Sequence, residues 1–239
     1  MVCEENEFRE AEVMDVFYPL GIGSQLSNFE LKMSLRSIEK HLSNYGDVWI
    51  VGEKPDWIQH VNHIQFPDLN GIPDFNIMKK TEQALWQVDR LLFFNDDHYL
   101  LDSFDAEQFP YFYHDTLEYF VKKRGLDLYG KRANNTLKHL KRQELPTKFF
   151  DIHTPIIYER SPFFENVLSL PWELSKEGFV LKSAYANALK IEGTEQKDSK
   201  SRFPPFVPVN VFSSTSKPTK NVQKFLLDTF PKKSKYEKQ

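Results

Sequence analysis

Short apolar runs of strand length recur along the first two thirds of the chain, and the stretches between them carry apolar residues at helical spacing. This alternation restricts the chain to an α/β layer structure with an at least partly parallel sheet, because parallel neighbours need a long crossover, usually a helix. The predicted strands are residues 14–18, 48–51, 61–66, 91–95 and 149–152. Between the first two, Leu31, Leu35, Ile38 and Leu42 share one helix face, and Ser27 with Glu30 reads as a capping box at its start. Further helices are expected over 76–89 and over 114–123, the latter ending near Gly125. Weaker periodicity suggests helices at 134–143, 163–174 and 182–190.

A chain of 239 residues, 40% hydrophobic, suits one elaborated domain better than two independent ones. Residues 1–192 are expected to form that domain. Residues 193–239 are expected to form an arm packed on it: an extended stretch with Pro204, Pro205, Pro208 and Pro218, a short helix over 222–230 and a basic tail. Phe203, Phe206, Val209, Val211 and Phe212 suggest that the arm docks, and Trp172 and Phe179 are further candidates for an interface. The single cysteine, Cys3, excludes an intramolecular disulfide framework, and no run of 18 apolar residues reads as a membrane span. The acidic start does not read as a signal peptide, so a cytoplasmic protein is expected.

The net charge of −3 points to no partner, but its distribution is uneven. Residues 1–120 carry 22 acidic and 8 basic side chains, whereas 121–148 and 199–239 each carry 9 basic and 2 acidic. Lys122, Lys123, Arg124, Lys131, Arg132, Lys138, Lys141 and Arg142 suit one basic face, with Lys232, Lys233, Lys235 and Lys238 in the tail. Such a face attracts polyanions, DNA or a phosphorylated glycan among them, although an ordinary solvated helix surface is the readier explanation.

The strongest local signal is the apolar run Arg90-Leu91-Leu92-Phe93-Phe94, which leads directly into Asn95-Asp96-Asp97-His98. Ligands of open α/β sheets gather at the carboxyl ends of strands, hard divalent cations take carboxylate oxygens, and a diphosphate leaving group needs such a cation. The same residues also suit a plain turn. After the first strand, Tyr18-Pro19-Leu20-Gly21-Ile22-Gly23-Ser24 leads to a helix start, a place where backbone can approach an anion or simply connect two elements. His153 follows the predicted strand 149–152 and suits a metal ligand, an acid or base, or a structural histidine. Lys182 and Asn187 offer an amine and an amide on a short helix.

Taken in order, Asp15-Val-Phe-Tyr-Pro-Leu-Gly21, Asn28-Phe-Glu30 through Arg36 to Lys40, Val48-Trp-Ile-Val-Gly-Glu-Lys-Pro-Asp-Trp57, Phe75-Asn76 and Phe93-Phe-Asn95-Asp96-Asp97 resemble the central part of the Stealth sugar-1-phosphate transferases. The resemblance covers residues 14–110, with His153-Thr154-Pro155 matching the family's later histidine motif. It implies a GT-A-like nucleotide-diphospho-sugar transferase fold, with a mixed, mostly parallel sheet flanked by helices. It places Glu30 and Arg36 on the helix beside the donor, Asn76 on a loop facing it, Asp96 and Asp97 at the metal and phosphates, and His153 in the catalytic pocket.

The function expected is a metal-dependent glycosyltransferase using Mn²⁺ or Mg²⁺ and a nucleotide sugar, a UDP-sugar first among the candidates. Asp96, Asp97 and His153 are the expected metal ligands, and Asp97, His153 and Arg36 the catalytic groups. Tyr18, Gly21, Gly23, Ser24, Glu30, Asn76, Asn95, Asp96, Lys182 and Asn187 are expected around the donor, and the acceptor is a hydroxyl on a glycan or on modified DNA. Two alternatives stand beside it: sugar-1-phosphate transfer, with Arg36 or Lys182 on the phosphoryl oxygens, and a nucleotide-sugar or glycan-binding module without catalysis.

Overall fold

Met14, Val16, Phe17, Tyr18 and Leu20 are all buried, as befits a strand covered on both faces. The computed structural model describes residues 13–22, 26–125, 127–215 and 217–238. The first half comprises β1 (Met14–Leu20), α1 (Phe29–His41), β2 (Leu42–Ser43), β3 (Tyr45–Gly52), β4 (Asn62–Ile64), α2 (Pro73–Leu85) and β5 (Arg90–Phe93). Then come β6 (His98–Leu100), β7 (Phe104–Asp105), β8 (Phe112–Tyr113), α3 (Leu117–Arg124), α4 (Leu128–Arg142) and β9 (Ile156–Glu159). The chain continues through α5 (Arg160–Phe163), α6 (Leu181–Ala188), β10 (Thr194–Glu195), β11 (Lys200–Ser201), β12 (Val211–Ser214) and α7 (Lys220–Thr229).

The central sheet has the order β4-β3-β1-β5-β9, with β9 antiparallel to β5 and every other pairing parallel. The fold is therefore mixed α/β with a mostly parallel sheet flanked by helices. From β1 the chain steps outward through α1 to β3 and on to β4, then returns through α2 to β5 on the other side of β1. Right-handed crossovers in opposite directions put their helices on opposite faces, and the core divides accordingly. Val16, Tyr18, Leu92 and Phe94 pack with Leu31, Leu35 and Ile38 of α1. Phe17, Leu91 and Phe93 pack with Met78, Ala84 and Leu85 of α2. The reversal between β1 and β5 leaves a crevice outside their carboxyl ends, where α/β sheets bind ligands.

A second, three-stranded sheet, β11-β12-β6, lies across α1 from the central one. Met33 of α1, Tyr99 of β6, Phe212 of β12 and Val222, Leu226 and Phe230 at α7 form its small core. The segment expected to be an extended arm thus supplies two strands to this sheet, and the short helix expected after it packs there as α7. Phe206, at 91% exposed, does not dock.

Four other local expectations need correction. Phe149, Phe150 and Ile152 are buried, but residues 149–152 form no strand, because their backbone bonds go to the His114–Asp115 loop and to the Ser183 hydroxyl. The strand beside β5 is β9, from an apolar run just downstream. The Ser27–Glu30 capping box does not form: α1 starts after Asn28, in the left-handed region at φ 57°, without a side-chain cap, and Glu30 instead accepts a bond from Ser214. Residues 163–174 break into short pieces, α5, a π-turn over Phe164–Leu168 and a 3₁₀ turn over Trp172–Leu174, with Pro171 between the last two. Trp172 and Phe179 serve no surface: they pack edge to face, 5.2 Å apart, in the core beneath α2.

Candidate active site

β5 carries Leu91, Leu92 and Phe93 into the core, and the chain turns at Asn95 to re-enter as β6. His98, fully buried, accepts the Asn95 N–H at Nδ1 (3.2 Å), and burial, reinforced by the nearby Lys182, His153 and Lys200, holds its pKa well below the ordinary value. It is thus a neutral pin for the turn, and Asp96 and Asp97 occupy the tip.

The second sheet completes the acidic cluster. Ser213 pairs with His98 across β12 and β6, and Lys200 pairs with Ser213 across β11 and β12. This register brings the Ser213 hydroxyl and the Lys200 ammonium to the same oxygen, Asp97 Oδ2, each at 3.0 Å. One residue on, Ser214 donates to Glu30 Oε1 (2.8 Å) while accepting from Tyr99 (3.0 Å). Burial pushes the Glu30 carboxyl up to about 7, with Asp96 and Asp97 adding to the rise. Burial and then the charge of Asp97 push Asp96 up to about 6. Three carboxyl groups therefore share one region, and among the described residues the Lys200 ammonium is in contact with one of them, Asp97.

Because β9 runs antiparallel to β5, the residues preceding it, 151–155, arrive at the carboxyl end of β5. Asp151 accepts the Lys182 and Ser183 N–H groups (3.1 and 2.8 Å), capping α6 from another part of the chain. The Lys182 ammonium, buried, donates to the Ile152 and Thr154 carbonyls (2.9 and 2.5 Å), and burial lowers its pKa to about 8. His153 donates from Nδ1 to Asp198 Oδ2 (2.8 Å), and its N–H meets Asp198 Oδ1 (3.2 Å). Burial alone would raise Asp198, but the bond and charge of His153 outweigh it and hold the carboxyl below its usual range. Asn95, His153, Lys182 and Lys200 line a cavity of about 500 Å³, with Asp74, Arg124 and Tyr129 also on its wall. That volume is in the range of small-molecule sites.

The residues suit a divalent cation in part. Asp96 and Asp97 are adjacent carboxylates, and a positive charge, the Lys200 ammonium, already rests on Asp97. His153 is committed to Asp198 at Nδ1, and among the described residues no three His, Cys, Asp or Glu side chains converge on one metal position. A cation held here would take Asp96 and Asp97 and complete its shell with water or ligand oxygens, as magnesium commonly does.

The other expected site residues lie elsewhere or do other work. The Tyr18 hydroxyl is buried and donates to Ser34 (2.8 Å), which donates to the His98 carbonyl (2.6 Å). Gly21 is exposed at the end of β1, and a side chain there would meet Asp68 at 3.3 Å. Gly23 and Ser24 lie outside the described residues. Asn76 clamps its own loop, accepting from the Leu69 and Asn70 N–H groups (2.9 and 3.2 Å) and donating to the Asn70 carbonyl (2.7 Å). Asn187 ties Lys148 to α6 through bonds at both ends of its amide. Arg36 is not brought to the cavity: its guanidinium grips Glu237 in the C-terminal tail (2.7 and 2.8 Å) and the Phe230 carbonyl (3.0 Å).

The expected basic face is diluted. Arg132 is buried against Asp74 (2.6 Å), and Arg124, Lys131 and Lys141 are paired with Asp127, Glu177 and Glu118. Asp151, Asp198, Lys200, Ser213 and Ser214 were not singled out in the sequence as site residues. Four of them sit in the proline- and serine-rich arm, where the sequence reads as an extended segment and marks only apolar residues such as Val211 and Phe212 for docking.

Compared with known proteins, the chain matches no family model and no curated protein. No helix among the described residues is long and apolar enough to cross a membrane.

Proposed function

We propose that this chain is a nucleotide-sugar-dependent glycosyltransferase of GT-A-like architecture, moving a sugar from a donor such as a UDP-sugar to an acceptor hydroxyl. One observation carries the reading. Lys182, Lys200 and His153 line one cavity at the switch point of a mostly parallel sheet, and behind them Lys200 is bonded to Asp97, in the acidic pair, and His153 to Asp198.

Each group has a task in that chemistry. Lys182 and Lys200 supply positive charge for phosphate oxygens. Lys182 is anchored by two carbonyls, so it is pre-oriented, and with a pKa of about 8 it stays mostly charged at pH 7. In its neutral form His153, donating Nδ1–H to Asp198, presents its Nε2 lone pair as a proton acceptor. The acceptor oxygen bonds to the sugar C1, its proton passes to His153, and the bond from C1 to the diphosphate oxygen breaks to release a nucleoside diphosphate. A cation bound at Asp96 and Asp97 would supply the charge that neutralises that leaving group.

Sugar-1-phosphate transfer draws on the same donor, so product nucleotide is the decisive test. Incubation with a panel of nucleotide sugars and Mn²⁺, followed by chromatography, should yield a nucleoside diphosphate. Release of the monophosphate would move the reading to phosphoryl attack, and intact donor across the panel would contradict transferase function.

A further inference from the structure

Lys200 lines the cavity, yet its ammonium rests on the carboxylate that the proposed function assigns to a cation. We propose that Lys200 is a built-in counter-ion that shares Asp97 with a divalent cation, so that the cation binds only as Lys200 leaves. The inference rests on the reading that brings a cation to Asp96 and Asp97.

Four observations support exchange over a fixed ion pair. Lys200 shares Asp97 Oδ2 with the Ser213 hydroxyl, so a cation taking that oxygen would meet an ammonium 3.0 Å from it. Two cations that close repel, and one must go. Lys200 is the one free to move: its side chain is 32% exposed and it stands on a two-residue strand. Lys182, the other ammonium at this cavity, is buried and fixed by two carbonyls, so it cannot take over at Asp97.

The backbone need not follow, because the Asp198 carboxylate accepts the Lys200 N–H (3.2 Å) and binds His153. Released from Asp97, the ammonium remains at the cavity wall, where the phosphate oxygens of a donor would meet it.

The test is calorimetric titration of Mn²⁺ at low ionic strength into the full chain, without donor, for the wild type, Lys200→Met, Lys200→Arg and Asp97→Asn. Lys200→Met should bind Mn²⁺ more tightly than wild type by on the order of tenfold or more. Lys200→Arg should stay near wild type, and Asp97→Asn should lose the site. Equal affinity in wild type and Lys200→Met overturns the exchange alone. Binding that survives Asp97→Asn, or is absent from every form with and without UDP, overturns the cation reading together with the exchange. Unchanged thermal unfolding of the two Lys200 variants separates these outcomes from misfolding.

Discussion

Arg36→Met separates a structural arginine from a catalytic one. The guanidinium makes three hydrogen bonds, two to Glu237 and one to the Phe230 carbonyl, and the two side chains are only 11% and 5% exposed. Removing one partner of a buried pair costs about 3–5 kcal/mol, because the other charge is left without compensation. Here Ser234 still donates its N–H and hydroxyl to Glu237 Oε1 (2.9 and 3.3 Å), so the lower end, about 3 kcal/mol, applies. Against a total stability of about 5–15 kcal/mol that is a large fraction. With a slope of about 1–3 kcal/mol per molar urea, the unfolding midpoint should fall by on the order of 1 M or more. The double variant Arg36→Met/Glu237→Leu should recover most of the loss, since no buried charge remains. Below its unfolding transition, Arg36→Met should still consume donor. A stability change under about 1 kcal/mol, or a double variant no better than the single, would refute the clasp; lost turnover in a folded protein would return Arg36 to the chemistry.

Two further outcomes follow from the site. Glu30 has a folded pKa of about 7 against an ordinary 4.5, so the folded chain holds the extra proton between those values and stability should fall as pH rises through that window. The fall amounts to about 3 kcal/mol at most; Glu30→Gln, which keeps the acceptor for Ser214, should reduce the slope in urea unfolding between pH 5 and pH 8, leaving the contributions of Asp74 and Asp96, both raised to about 6. Equal slopes in wild type and variant would show that Glu30 ionises normally. Asp198→Asn should lower turnover by on the order of 100-fold with little change in unfolding temperature, because His153 loses the carboxylate that fixes its proton on Nδ1; unaffected turnover would remove His153 as the base.

The parallel part of the sheet was legible because β1, β3 and β5 are short apolar runs buried on both faces, and α1 shows its stripe in Leu31, Leu35 and Ile38. Residues 149–152 misled because a buried apolar run reads the same whether its backbone partners are a strand or the Ser183 hydroxyl. Asp96, Asp97 and His153 were visible as strand-end polar residues. Their partners were not. Asp198 lies 45 residues beyond His153, and Lys200 lies 103 residues beyond Asp97. The pairings of β12 with β6 and of β11 with β12 bring Lys200 to Asp97, and Asp198 stands two residues before Lys200. Arg36 shows the converse: a motif position fixed its helix, but Glu237, 201 residues away, decided what its side chain does.

The central claim is that Asp97 stands at the donor's diphosphate. It is tested most directly by nucleotide release from the preferred nucleotide sugar in wild type and Asp97→Ala, with Mn²⁺ present and folding verified by thermal unfolding. Nucleoside diphosphate release by the wild type, falling by on the order of 100-fold or more in the variant, is predicted. An Asp97→Ala protein that consumes donor at the wild-type rate would contradict it.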